Sequence, residues 1–207
     1  MSFQMVSHIG YMLMGLGLFT PLALAGSVFY MVHHMIVITS LFLVSGVVQQ
    51  LLGTSELPKL GGVYHAYAGV AFLFLIPALS LAGMPPFSGF IAKLALVRAG
   101  LEHQQPLIVA TALGVSLLTL FSMAIIWAEV FWKPLPRPVH HPLGAQMEKQ
   151  IFLPQGMGLL LVPTAGLALS TVAIGLGAEA LFPLATKAAE QLLAPAEYIQ
   201  AVLGKAP

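Results

Sequence analysis

The stretch from Ser80 to Gly100 constrains the fold more than any other part of this chain. It reads SLAGMPPFSGFIAKLALVRAG and lies within long apolar sequence, yet it contains two adjacent prolines, Pro85 and Pro86, and one lysine, Lys93. The prolines lack backbone N–H donors and break a helical hydrogen-bond ladder. A broken helix in hydrocarbon needs protein or water to satisfy the freed carbonyls, and an ammonium at the bilayer centre costs about 2.5–3.5 kcal/mol. Together these features predict a polar cavity or an ion path around Lys93.

The composition is that of a polytopic membrane protein. Of the 207 residues, 58% are hydrophobic and 7% are charged, whereas soluble domains carry about 25% charged residues. The mean hydropathy is +0.94. A net charge of +1 offers no basic stripe for nucleic-acid phosphates, and the absence of cysteine excludes disulfides and thiolate metal sites. We therefore predict an all-α membrane helix bundle with no nucleic-acid partner.

The apolar segments predict about six transmembrane helices, one of them discontinuous, since a span needs about 20 mostly apolar residues. The break is expected within Pro85–Lys93. The predicted helices are Val6–Ala25, Val28–Leu52, His65–Leu81, Phe87–Leu101, Leu107–Trp132 and Met157–Leu181. The loop Lys133–Gln150 contains four prolines, which argue against a regular element, and its basic residues favour the cytoplasmic side of the membrane.

The chain divides into a membrane domain and a tail. Residues 1–182 are expected to form the membrane domain, and residues 183–207 are less apolar and carry Lys187, Glu190 and Glu197. This pattern is typical of an amphipathic helix that lies in the membrane interface. We therefore expect an interfacial tail and no seventh span.

Three stretches of the chain resemble one family of membrane proteins. They are HIGYMLMGL at His8–Leu16, HHMIVITSLFLVSG at His33–Gly46, and SLAGMPPFSGFIAKLALV at Ser80–Val97. They are similar to segments of the antiporter-like, proton-translocating subunits found in Mrp-type Na⁺/H⁺ antiporters, respiratory complex I and membrane-bound hydrogenases. The lysine stretch looks most similar to that of the D-type subunits of Mrp antiporters.

The resemblance covers only part of a family member. Members are about twice as long and are built as two inverted repeats, an arrangement common in transporters. This chain corresponds to the second repeat plus the terminal helix, and the first repeat's glutamate and lysine have no match here. Ile38 stands where some members place a lysine, four residues after the position matched by His34. We expect either a split-gene product, which assembles with a chain supplying the first repeat, or a truncated reading frame.

The resemblance implies roles for Lys93, His34 and His33. Lys93 is implied to carry protons in a hydrated channel; the alternative is a lysine at a helix end whose ammonium reaches the interface. His34 occupies the family's histidine position, and an imidazole with a pKa of about 6.5 can exchange a proton at neutral pH. His33 is the second candidate, because adjacent helical residues point about 100° apart. Either histidine could instead be a helix–helix hydrogen-bonding group.

We predict no cofactor and no metal site, because no carboxylate accompanies the histidine pair at helical spacing. Arg98 and Glu102 are expected to form an ion pair that closes a helix end, with a place in an exit path as the alternative. Glu129 is interpreted as an interfacial carboxylate. Three histidines at predicted helix ends are also expected at the interface: His8, His65 and His103.

These observations favour a transporter subunit over an enzyme. The resemblance implies monovalent cation/H⁺ antiport, with Na⁺ the expected cation, other subunits of a multisubunit complex as partners, and the bacterial inner membrane as the location. One alternative is a structural membrane subunit that conducts nothing. Another is a proton-pumping subunit of an NADH:quinone oxidoreductase or a membrane-bound hydrogenase, which would make the chain part of a translocase.

Overall fold

The structure, a computed structural model, describes residues 2–134, 158–194 and 196–204. Within these ranges all regular elements are helical, so the predicted all-α fold is confirmed. The helices are α1 (Ser2–Leu18), α2 (Pro21–Leu52), α3 (Val63–Ala66), α4 (Ala68–Ala82), α5 (Ser88–Glu102), α6 (Pro106–Trp127), α7 (Gly158–Leu176), α8 (Ala178–Leu193) and α9 (Ala196–Leu203), with a 3₁₀ turn at Leu57–Lys59 and a π-helical turn at Ala128–Trp132.

Three of the described helices are long and apolar enough to cross a membrane by themselves: Pro21–Leu52, Pro106–Trp132 and Gly158–Leu176. The shorter helices α1 and α4 are also strongly apolar. These lengths and compositions confirm the predicted membrane helix bundle. Of the predicted loop Lys133–Gln150, all but the first two residues lie outside the described ranges.

Helix α2 is the axis of the bundle. It has 32 residues, which corresponds to a length of about 48 Å. Helices α1, α4, α5, α7 and α8 all contact it. The helices that carry the site described below are therefore positioned mainly by α2.

The first two helices begin earlier than the sequence predicted. The first predicted helix, Val6–Ala25, instead ends at Leu18, and α2 begins at Pro21. The side chain of Thr20 accepts a hydrogen bond from the Ala23 N–H, which satisfies a donor with no partner inside the helix. Pro21 at the first helical position loses nothing, because its missing N–H would be unpaired there.

Helices α4 and α5 together form one interrupted crossing beside α2. Each has 15 residues, or about 22 Å, which is shorter than the ~30 Å hydrocarbon core. Helix α4 shares a buried cluster with Val37–Val48 of α2, and α5 shares one with Leu24–Tyr30. The two segments that the sequence suggested as separate third and fourth spans therefore lie along opposite halves of the same helix.

The last predicted span, Met157–Leu181, is interrupted at Gly177, and α8 begins at Ala178. Helix α8 has an alanine face buried against α2, and the ring centroids of Phe182 and Phe29 lie 5.7 Å apart. Its charged residues are exposed. The division of the chain at residue 182 stays a prediction, and Pro195 and residues 205–207 of the tail lie outside the described ranges.

Helix α8 offers a test of this packing. Ala189 is fully buried against α2, so Ala189→Leu is expected to destabilise the protein by about 1–3 kcal/mol through overpacking. Ala180 lies on the exposed face of the same helix, and Ala180→Leu serves as the matched control. Thermal unfolding in detergent measures both; equal unfolding midpoints would contradict the docking of α8.

Candidate functional site

Lys93 supplies the two hydrogen bonds that the prolines remove. In a continuous helix, the N–H groups of residues 85 and 86 would donate to the carbonyls of Leu81 and Ala82, but both residues are proline. The Lys93 Nζ donates to the Leu81 carbonyl at 2.9 Å and to the Ala82 carbonyl at 3.1 Å. It does so at the C-terminal end of α4, where the helix dipole favours a cation.

The Lys93 ammonium has two further neighbours, one polar and one aromatic. Its Nζ donates to the Ser116 Oγ at 3.0 Å and lies 4.9 Å from the centroid of the Tyr11 ring, within the range of a cation–π interaction. The left-handed Gly83 leaves room for the lysine chain, since a Cβ there would lie 2.8 Å from the Lys93 Cδ. The residue is 7% exposed, so its ammonium lies inside the bundle.

No carboxylate pairs with Lys93 in the part of the chain that the structure describes. The ion pairs formed there join Lys59 to Glu56, Arg98 to Glu102 and Lys133 to Glu129, each at 2.8 Å and all with partly exposed side chains. The Arg98–Glu102 pair is the one predicted at the end of a helix. The ammonium of Lys93 is therefore surrounded by neutral acceptors and an aromatic face.

Five rings from α1 and α2 form a contiguous cluster beside Lys93, which we call the ring cluster. Neighbouring ring centroids are 5.1 Å apart for Tyr11 and Tyr30, 5.5 Å for Tyr30 and His33, and 5.4 Å for His8 and His34. The Tyr30 hydroxyl is hydrogen-bonded to the His8 Nδ1 at 2.5 Å. The members of the ring cluster are His8, Tyr11, Tyr30, His33 and His34.

The ring cluster meets the interruption at two points. The Tyr11 hydroxyl donates to the Ala112 carbonyl and is hydrogen-bonded to the Ser116 Oγ at 2.7 Å, and Ser116 is itself a Lys93 partner. The His33 Nδ1 is hydrogen-bonded at 2.8 Å to the Oγ of Ser88, the first residue of α5. Of the two predicted histidines, His33 therefore contacts the broken crossing directly, and His34 joins the site through its packing against other rings.

Each imidazole of the ring cluster keeps one nitrogen available. The Nε2 atoms of His8, His33 and His34 are buried and have no hydrogen-bond partner among the described residues. An imidazole with a free ring nitrogen can accept or release a proton there. The cluster therefore contains three groups capable of proton exchange within the membrane-spanning part of the chain.

A cavity of about 180 Å³ opens between α1 and α6 beside Tyr11. Its lining includes the hydroxyl-bearing residues Ser7, Tyr11 and Thr111. A water molecule needs about 10–15 Å³ of such volume and two or more polar partners. The cavity is therefore large enough to hold water beside Tyr11.

The expectation that His8 is interfacial was wrong. His8 has no exposed surface and lies within the ring cluster, because α1 begins at Ser2 and so places His8 in its second turn. In contrast, His65 and His103 are exposed. The pairing of His8 with Tyr11 could have been predicted from the sequence, because residues three apart on a helix share a face.

Residues 1–119 match the family described as NADH:quinone oxidoreductase/Mrp antiporter, TM. The chain belongs to this family. The resemblance read from its motifs is thereby confirmed, and the antiporter family together with the apolar helices makes the chain an integral membrane protein. This agrees with the bacterial inner-membrane location expected from the sequence.

Relatives in this antiporter family match nearly the whole chain. The D subunit of the Na(+)/H(+) antiporter of Alkalihalophilus pseudofirmus is 40% identical over 203 residues, covering 98% of this chain and 39% of the relative. The protein of the same name from Bacillus subtilis is 34% identical over 204 residues, covering 97% of this chain and 38% of the relative. The chain thus spans less than half the length of either relative.

A solved structure has a similar fold. The structure of the Mrp complex from Dietzia sp. DQ12-45-1b contains a chain with a TM-score of 0.82 and 36% sequence identity to this one. The match covers 98% of this chain and 44% of that chain. The arrangement of helices described above is therefore that of an experimentally known antiporter-family fold.

The hydrogen bond between His8 and Tyr30 can be measured by a double-mutant cycle. We expect His8→Leu and Tyr30→Phe to show a coupling free energy between about 0.6 and about 1.7 kcal/mol, the range for polar pairs in a membrane protein. The exposed His65 provides the control, since His65→Leu should not couple to Tyr30→Phe. A coupling of zero in unfolding experiments on the first pair would contradict the hydrogen bond between His8 and Tyr30.

Proposed function

We propose that this chain carries protons in a Mrp-type monovalent cation/H⁺ antiporter, as part of a subunit of the D type, with Na⁺ as the exchanged cation. The names of its relatives and the similar chain in the Mrp complex support this proposal. The strongest support is the position of the Lys93 ammonium, which the carbonyls of Leu81 and Ala82 hold inside the bundle at the interruption. The partners are other membrane subunits of the antiporter and the lipid bilayer.

The hydrogen bonds of Lys93 indicate the side on which its proton leaves. A protonated lysine has three donors and no acceptor, and Lys93 has three acceptors, the Leu81 and Ala82 carbonyls and the Ser116 Oγ. After deprotonation the amine has two donors and one lone pair, so one partner must become a donor. A carbonyl cannot donate, whereas the Ser116 hydroxyl can. The proton therefore leaves Lys93 on the Ser116 side.

From Ser116 the path leads to the ring cluster. The Ser116 and Tyr11 hydroxyls lie 2.7 Å apart, and each can donate and accept, so a proton can pass between them as their hydrogen bonds reverse. To pass the proton on, the Tyr11 O–H must turn from the Ala112 carbonyl toward the neighbouring Tyr30, whose hydroxyl is hydrogen-bonded to the His8 Nδ1. His8 and His34, whose rings are neighbours, then accept and release the proton.

His33 provides a second branch at the interruption. Its Nδ1 contacts the Ser88 Oγ at 2.8 Å, and the Ser88 and Ser80 hydroxyls lie 3.5 Å apart. Both serines are fully buried. We therefore assign proton relay to Lys93, His34 and His33, with the last linked to the broken crossing.

Replacement of Lys93 tests the proposal. In everted vesicles carrying the assembled antiporter, Lys93→Ala is expected to lower Na⁺-driven proton flux at least tenfold, because a positioned proton-transfer group contributes about 10²–10⁴-fold. Lys59 is an exposed lysine in a surface ion pair, and such pairs contribute little. Lys59→Ala, compared at equal membrane abundance, should therefore keep full flux.

The same assay separates the proposal from its alternative, a structural subunit that conducts nothing. Full flux in Lys93→Ala would overturn the lysine relay. Full flux after Lys93→Ala and His34→Ala are combined would leave only the structural role, since both residues assigned to proton relay on that branch would then be absent. A loss of flux with normal assembly would contradict the structural role.

A further inference from the structure

Helix α7 places Gly175 directly against the interruption between α4 and α5. A Cβ atom at Gly175 would overlap the Pro86 carbonyl oxygen and would lie 2.7 Å from the Phe87 carbonyl carbon and 2.8 Å from the Ser88 nitrogen. Side-chain Cβ atoms essentially never approach other heavy atoms within 3.0 Å. All three atoms belong to the main chain, so no change of rotamer can make room; the segment or the end of α7 would have to move.

This requirement is specific to one position of α7. Gly166 on the same helix would have no atom within 4 Å of an added Cβ, and neither would Gly158 at the helix start. A glycine inside a helix costs roughly 0.5–1 kcal/mol relative to alanine. At Gly175 this cost is accompanied by a main-chain contact that no other residue type permits.

The segment that Gly175 contacts, Pro86–Ser88, contains the serine bonded to His33 and leads into the helix that carries Lys93. Ser88, whose nitrogen faces Gly175, begins α5 and carries the hydroxyl that contacts His33. Lys93 lies five residues further along α5 and must reach back to the end of α4. A displacement of Pro86–Ser88 would therefore move the Ser88 hydroxyl and the starting point of the helix that carries Lys93.

We propose that Gly175 is a positioning residue for proton relay: its missing side chain lets α7 hold the Pro86–Ser88 main chain where Ser88 meets His33 and Lys93 caps α4. This inference rests on the proposed function of Lys93. Gly175 itself exchanges no proton, and α7 acts only through the geometry of the interruption.

The test compares Gly175→Ala with Gly166→Ala in the assembled antiporter. Gly175→Ala is expected to lower Na⁺-driven proton flux about tenfold to about 10²-fold, because a shift of about 1 Å in a catalytic group has effects of that size. Gly175→Ala should also displace the pH profile of the flux. Ser88→Ala should displace it too, because it removes the hydroxyl that contacts His33 and leaves α7 unchanged. Gly166→Ala should keep both flux and profile.

A second readout is independent of transport. The chain contains no cysteine, so Met84→Cys, at a residue 40% exposed within the interruption, gives this chain one thiol for maleimide labelling. Gly175→Ala should change the labelling rate of that thiol, and Gly166→Ala should not. If Gly175→Ala does not accumulate in the membrane, Ser88→Ala, which adds no atom at the contact with α7, decides the matter, and an unchanged pH profile of its flux overturns the positioning role.

The outcomes distinguish this inference from the proposed function. Unchanged labelling in Gly175→Ala overturns the positioning role, whatever Lys93→Ala does to flux. Changed labelling with unchanged flux and pH profile also overturns it, because the interruption would then move without affecting relay. Full flux in Lys93→Ala overturns the proposed function itself, and the inference with it.

Discussion

The structure depends on the Lys93 side chain, which donates two hydrogen bonds where two main-chain N–H donors are missing. Pro85 and Pro86 cannot donate to the carbonyls of Leu81 and Ala82, and the Lys93 Nζ does so instead. Without it, two buried carbonyls would be left unpaired in a membrane, at a cost of several kcal/mol. The interruption between α4 and α5 and the position of Lys93 are therefore one feature, and the unbroken helix α2 beside them provides the surface on which both halves are aligned.

The same arrangement couples structure to chemistry. Any hydrogen-bond donor could complete the end of α4. Lys93 does so with a charged ammonium, and no carboxylate among the described residues pairs with it. A positive charge arriving nearby therefore disfavours its protonated form. In the proposed relay the proton leaves toward Ser116 and Tyr11, because the Ser116 hydroxyl, unlike the two carbonyls that accept from Lys93, can also donate. Loss of the proton also changes how α4 is capped, so protonation and the geometry of the interruption are linked.

The sequence revealed the interruption but only part of the site. Paired prolines and a lysine in apolar sequence are local features, and so is the adjacent pair His33 and His34. Tyr11, Tyr30 and Ser116 were missed because they lie on three different helices, and only packing brings Tyr11 and Ser116 to Lys93 and Tyr30 to Tyr11. His8 was misplaced because helix ends are the least certain part of a sequence-based prediction, and a shift of one turn moved it from the interface to the core. That α4 and α5 share one crossing follows from the length of α2, which no motif encodes.

The most direct test of this account is a cryo-EM map of the assembled antiporter at a resolution that shows side chains. Density for the Lys93 ammonium is expected within hydrogen-bonding distance of the Leu81 and Ala82 carbonyls, with the crossing interrupted between Ala82 and Ser88. A map in which that side chain extends to the lipid headgroups or to bulk solvent, beside an uninterrupted helix, would contradict it.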